Sequence, residues 1–264
     1  MSETFVTTVI DNATGWATIT MDRTEVLNAF DATLIAQLTA DLETLAKHNG
    51  VAAVVLAGAG KSFSAGADLN WMQRMAGYSE NKNLTDARAL GRMLKTLRDL
   101  PKPTVARVHG AAIGGAVGLI AACDIAFASD QAVFAVSEVR VGLIPAVISP
   151  YVIAAIGERQ FHRYALTGER FAAPEAMRIG LVHSVVEPAD LDSTVRGVLG
   201  ELAKGGPSAK AEVKALISSI AGRPIDSNLI DETATRIARV RAAGEGREGV
   251  AAFLEKRKPA WIKQ

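Results

Sequence analysis

Two stretches of this chain follow one plan, and together they limit the folds open to it. Each runs from an apolar segment of strand length, through a loop of small residues, into a segment with helical character. In the first, Val51 to Ala57 leads through Gly58-Ala59-Gly60 to Ser64-Ala65-Gly66-Ala67-Asp68, with a helix expected from Asp68. In the second, Thr104 to Val108 leads through Gly110-Ala111-Ala112-Ile113-Gly114-Gly115 to a helix reaching Ala122. Continuous apolar strands, without polar alternation, are buried on both faces and need helices to cover them. An α/β fold is therefore expected.

The rest of the chain fits that frame. Phe5–Ile10 and Trp16–Met21 read as strands joined by the turn Asp11-Asn12-Ala13-Thr14-Gly15. Asn28 to Lys47 has helical periodicity, with Leu34, Leu38, Leu42 and Leu45 on one face. Asp86 to Leu100 reads as a long amphipathic helix stopped by Pro101 and Pro103. Asp124–Ala128 and Val133–Val136 are further strands. After about Pro188 the pattern turns helical: Leu191–Lys204, Ser208–Ala221 and Asn228–Gly244. The expected division is an α/β core over 1–190 and a helical region over 191–264, suited to oligomerisation.

Charge excludes some partners. The 29 basic and 28 acidic residues nearly cancel, so nothing points to nucleic acid or an anionic membrane. The most apolar stretch, Ala111 to Ala128, holds Asp124 and three glycines and reads as buried helix and strand, not a membrane span. The lone cysteine, Cys123, cannot form an intrachain disulfide and sits among apolar residues. Met1 to Ile10 shows no basic region followed by an apolar run, so a cytoplasmic location is expected.

Several motifs fall short. Gly60-Lys61-Ser62 resembles the end of a phosphate-binding loop, but Val55 stands where the first glycine is needed. Neither the dinucleotide fingerprint nor G-x-S-x-G occurs. His48, His109, His162 and His183 are isolated, so no metal site is expected. The two small-residue loops remain. Small residues let a ligand approach the backbone, and the first amides of a helix are unpaired and favour negative charge. Two such amides converging on one point would make an oxyanion hole. Tight turns and close helix packing would also explain either loop alone.

Taken together, the loops resemble a known family. Ser64-Ala65-Gly66-Ala67-Asp68-Leu69 is similar to one signature of the enoyl-CoA hydratase/isomerase (crotonase) family, and Pro103–Ala106 with Gly110–Gly115 and Ala121–Ile125 to another. Leu27-Asn28-Ala29, Leu166-Thr167-Gly168, Gly180-Leu181-Val182 and Arg247–Arg257 extend the likeness along essentially the whole chain. The resemblance implies a spiral of repeated ββα units with a helical C-terminal region, assembled as a homotrimer or dimer of trimers. It implies an acyl-CoA thioester as substrate, with coenzyme A part of that substrate and no separate cofactor. By the same likeness the oxyanion-hole amides fall on Ala67 and Gly115. Coenzyme A would meet Val26, Leu27, Ala65, Asp68, Leu69, Phe253 and Lys256.

The resemblance also makes Glu138 the catalytic carboxylate. Its neighbours Phe134, Val136 and Val139 are apolar, which should raise its pKa and suit it to proton transfer. The chain departs from the family's two-glutamate hydratases at Gly118, where a glutamate is usual, and again over Ile144–Pro150. Counting carboxylates favours a 3,2-enoyl-CoA isomerase with a single base. The finer pattern around Val139–Tyr151 and Ile156–Arg159 resembles bacterial methylglutaconyl-CoA hydratases, which implies hydration of a branched 2-enoyl-CoA and a place in leucine or terpenoid breakdown. Hydratase is the expectation, with isomerase second and a non-catalytic acyl-CoA-binding protein third. Trp71, Met72, Met75, Ile148 and Tyr151 are candidates for the acyl-pocket wall, although ordinary packing is the default for each.

Overall fold

A computed structural model describes residues Glu3 to Ile262. The chain divides into two compact units, Met1–Gly197 and Val198–Gln264.

The first unit is built on a six-stranded sheet: β1 (Val6–Asp11), β2 (Trp16–Met21), β3 (Ala53–Gly58), β4 (Thr104–Val108), β6 (Ile125–Ser129) and β9 (Ser184–Val186), adjacent in that order. Within this sheet, among the described residues, only the β1–β2 pair is antiparallel. Every residue of β3 is buried, as its unbroken apolar run requires. A second, three-stranded sheet joins β5 (Ala111–Ile113), β7 (Val133–Ala135) and β8 (Phe171–Ala172). The chain repeatedly leaves the large sheet, touches the small one and turns into a helical segment. β4, β5 and α4 (Gly115–Ala122) make one such unit, and β6, β7 and a 3₁₀ turn at Glu138–Val141 follow the same course. This is the α/β ββα spiral expected.

α1 (Ala32–Lys47) buries the leucine face expected of it, Leu34, Leu38, Leu42 and Leu45. Each such burial contributes roughly 1.5–3 kcal/mol. It starts four residues later than its periodicity suggests. Asn28 holds φ 57 and Asp31 is the N-cap, accepting from the Leu34 amide. α2 (Leu69–Ala76) is followed by α3 (Glu80–Arg98), which begins six residues before the expected Asp86 because Ser79 caps it. α5 (Ser149–Thr167), broken at Gly157, and the short α6 (Ala173–Arg178) complete the helices before α7 (Leu191–Lys204).

α7 runs on into the second unit, whose other helices are α8 (Pro207–Ile220), α9 (Ser227–Ala242) and α10 (Gly244–Leu254). Glu245 accepts from the Ser208 and Ala209 amides, tying α10 to the start of α8. Among the described residues no helix is long and apolar enough to cross a membrane.

Candidate active site

The two small-residue loops are brought side by side by backbone hydrogen bonds. The Phe63 amide donates to His109 O, the Ser64 amide to Ala111 O, and the Ile113 amide to Ser64 O, over 2.8–3.1 Å. Gly110 has to be glycine here: it holds φ 59, and a Cβ would collide with the Lys61 carbonyl. A third loop joins the stack. Ala65 N donates to Leu27 O and Phe30 N to Gly66 O, while the wholly buried Asn28 amide group donates to Ala59 O and Ser62 O. Val26, Leu27, Ala65, Asp68 and Leu69 thus come from two loops stitched to one another. Leu27 and Leu69 are exposed apolar side chains on them, open to a ligand.

The same stitching frees the Ala67 amide. In the parallel bridge between Phe30 and Ala67, Gly66 O and Asp68 N make the bonds to Phe30, so the Ala67 N–H faces away from it. Gly115 is the first residue of α4, where an N–H has no partner within the helix. Among the described residues neither amide donates to a loop or cap carbonyl. Ala67, Gly115 and Glu138 line one cavity of about 210 Å³.

Glu138 starts the 3₁₀ turn after β7. Burial pushes its carboxyl above the usual carboxylate range, while the backbone amides of Glu138 and Ser137 pull the other way. Its Oε2 is buried and has no hydrogen-bond partner. Gly114 makes room for it: an added Cβ there would stand 3.2 Å from Glu138 Oε1. A desolvated carboxyl, ready to hold or release a proton, therefore shares a cavity with two free amides.

One turn along α4, Gly118 is buried beneath Ile148. A Cβ on Gly118 would lie 2.7 Å from Ile148 Cβ and nearer still to its Cγ2. The place where a second carboxylate would project is filled by hydrocarbon. Trp71, Met75 and Ile148 do line the cavity, against the default of ordinary packing, whereas Met72 and Tyr151 do not. Asp86, read from the sequence only as the start of a helix, and Asn83, outside every element expected, also line it.

Asp68 has its carboxylate committed elsewhere. It is buried, caps α2 by accepting from Trp71 N at 2.8 Å, and pairs with Arg23 Nη2 at 3.3 Å. Any contact from Asp68 to coenzyme A is left to its backbone. Arg23 was not legible as a site residue. It is buried, donates to Ala29 O, also pairs with Asp31 and stacks over Phe5, so it fixes the loops from behind. Phe253 and Lys256 belong to the second unit, Phe253 exposed on α10 and Lys256 just past its end at φ 56. His109 and His183 serve the backbone, bonding Gly60 O and Ala126 N. Among the described residues no cluster of His, Cys, Asp and Glu could hold a metal.

Comparison with known proteins identifies the family. The sequence model of the family described as enoyl-CoA hydratase/isomerase matches residues 11–264. The chain belongs to that family. A solved structure of an enoyl-CoA hydratase from Shewanella pealeana shares 43% identity and a TM-score of 0.95, over 98% of this chain and 96% of that one. A putative enoyl-CoA hydratase of Thermus thermophilus is 33% identical over 92% of this chain and 96% of its own length. A trans-2-decenoyl-[acyl-carrier-protein] isomerase of Streptococcus mutans is 32% identical over 95% of each. The family member described here is thus a crotonase-fold enzyme of acyl-CoA chemistry, and its relatives include both hydratases and isomerases.

Proposed function

We propose that this enzyme hydrates a 2-enoyl-CoA, using Glu138 as its one proton-transferring side chain. The observation that carries this is the single cavity shared by Glu138 and the free amides of Ala67 and Gly115. The thioester oxygen accepts from the two amides. The Glu138 carboxylate takes a proton from water as the water oxygen bonds to C3, and charge moves through the former double bond onto the thioester oxygen. There the amides stabilise it, where charge develops. The Glu138 carboxyl then returns a proton to C2. One water is added and Glu138 ends as it began. No separate cofactor takes part. Val26, Leu27, Ala65, Leu69, Phe253, Lys256 and the Asp68 backbone are the proposed contacts of coenzyme A, in a homotrimer or dimer of trimers.

The resemblance implies a branched acyl group such as methylglutaconyl. The cavity volume suits a short branched chain. Its distal carboxylate is less well provided for, since Asp86 and Glu138 line the cavity and no Lys, Arg or His does. Paired assays with crotonyl-CoA and 3-methylglutaconyl-CoA, following loss of the enoyl thioester absorbance and the mass of the product, test both points. Absence of turnover on every enoyl-CoA, with coenzyme A binding intact, would overturn the assignment in favour of a non-catalytic binder.

A second reaction has an observation in its favour. The Ile148 side chain over Gly118 leaves Glu138 without a partner carboxylate there. Moving a proton from C2 to C4 of a 3-enoyl-CoA needs only one base. Appearance of enoyl absorbance from a 3-enoyl-CoA, at a rate exceeding hydration, would select the isomerase.

A further inference from the structure

The acyl cavity has a neighbour. A second cavity of about 330 Å³ lies between α1 and α3, lined by small and apolar residues of α1 such as Ile35, Ala36 and Ala40. Arg92 and Glu43, paired at 2.6 Å, also line it. The two cavities share two wall residues, Trp71 and Asp86. Trp71 stands between the space that holds Glu138 and the space along α1.

The state of the Trp71 ring bears on what that wall can do. The residue is 7% exposed, yet its Nε1 is buried with no hydrogen-bond partner. A buried N–H left unpaired is unfavourable, and most indoles in cores find an acceptor. Turning this ring therefore breaks no side-chain hydrogen bond. A carboxylate, Asp86, lines the same two cavities and offers an acceptor on that wall. The acyl cavity, of about 210 Å³, has room for a short acyl group and not for a long one.

We propose that Trp71 is the residue that sets acyl chain length, and that the cavity between α1 and α3 receives the distal part of a long, uncharged acyl tail when the ring is displaced. The assignment deepens the enoyl-CoA function and rests on it. Short acyl groups end at the indole, and longer ones have to move it.

The test compares turnover of crotonyl-, octenoyl- and dodecenoyl-CoA by wild-type protein, Trp71→Ala and Trp71→Leu. Leucine keeps more of the packing and guards against a misfolded alanine variant. The ratio of dodecenoyl to crotonyl kcat/KM is expected to rise about tenfold or more in both variants. Ala36→Trp, which fills the second cavity from the exposed face of α1, is expected to return that ratio towards the wild-type value in the Trp71→Ala background. A ratio unchanged in both Trp71 variants would overturn the proposal. So would a gain that survives Ala36→Trp, since the tail would then lie elsewhere. Calorimetric binding of dodecanoyl- and butyryl-CoA to the same proteins reads the chain-length preference without catalysis. If no enoyl-CoA is turned over but the affinity ratio shifts as described, the hydratase assignment fails while Trp71 keeps its role.

Discussion

Gly114 and Gly118 lie one helical turn apart at the start of α4, and the space left by each missing side chain is taken by a different kind of group. Over Gly114 stands the carboxylate of Glu138; over Gly118 stands the branched hydrocarbon of Ile148. Both groups line the same cavity. Gly114 also caps the helix at φ 55, so that position needs glycine for its backbone as well as for the room it leaves. Gly118 has ordinary helical conformation and is glycine for space alone. The difference shows how one helix turn gives a cavity one wall that carries a buried carboxyl and another that only excludes.

The wall that carries the carboxyl should be the easiest to break. Glu138→Gln keeps the shape and removes the exchangeable carboxyl. We expect kcat to fall about 10²- to 10⁴-fold, the usual contribution of a positioned acid–base group, with acyl-CoA affinity within a few-fold of wild type. Steady-state kinetics beside calorimetric binding would check both halves. Activity close to wild type would remove Glu138 from the mechanism.

The amides come next. Proline is tolerated at the first position of a helix, so Gly115→Pro deletes the N–H with modest damage to α4. Any side chain at 115 meets the Phe30 ring, about 3.1 Å from a new Cβ, so Gly115→Ala is the necessary control. Relative to alanine, proline is expected to cost a further 10²- to 10³-fold or so in kcat, as loss of one oxyanion donor does. Equal rates in the two variants would mean that this amide carries no developing charge.

The excluding wall should respond in stability before it responds in rate. Gly118→Ala forces a methyl into the Ile148 side chain, and overpacking of this kind costs about 1–3 kcal/mol. Thermal unfolding should show a Tm lower by roughly 2–8 °C. Ile148→Gly removes both clashing atoms at a helix N-cap, where glycine is accepted, so it should cost less stability in the Gly118→Ala chain than in wild type. A double-mutant cycle with no coupling would show that the two residues do not compete for one space. The same cycle with Gly118→Glu asks whether a second carboxylate can be housed once Ile148 has gone.

How far these features could be read in advance depended on how local they are. The strands and the leucine face of α1 were legible because burial repeats along consecutive residues. The two loops were legible because small residues cluster where backbone must approach backbone. The family signatures then attached roles to Ala67, Gly115 and Glu138, and the structure brings those three to one cavity. The occupant of the space beside Gly118 was not legible. It depends on Ile148, thirty residues away and delivered by the start of α5, and no pattern around either residue announces the pair. Arg23, Asp86 and the second cavity escaped for the same reason. Each is defined by elements that meet only in the folded chain. The start of α1 was misplaced because Asn28 fits a helical pattern, whereas its side chain is needed to hold Ala59 O and Ser62 O from a left-handed backbone.

The smallest expected effect separates the two walls by pH. Burial raises the Glu138 carboxyl above its ordinary value of 4.5. Below that ordinary value the carboxyl is protonated in both folded and unfolded chains, and its burial costs nothing that varies with pH. As pH rises, the unfolded chain releases the proton first while the folded protein still holds it. Stability is therefore lost through the interval between the ordinary and the raised values, and beyond it the penalty is constant. Glu138→Gln has no proton to release and escapes that penalty. Its Tm should match wild type near about pH 4 and exceed it at neutral pH. Ile148→Val, which alters the other wall without a titrating group, should shift Tm by the same amount at both pH values. In wild-type kinetics the acid limb of kcat/KM should lie above the ordinary carboxylate value, because Glu138 must be ionised to take a proton from water. An acid limb at the ordinary value, with no pH-dependent gain in the Gln variant, would show that the carboxyl is solvated in solution. The contrast between the two glycines would then be one of shape alone.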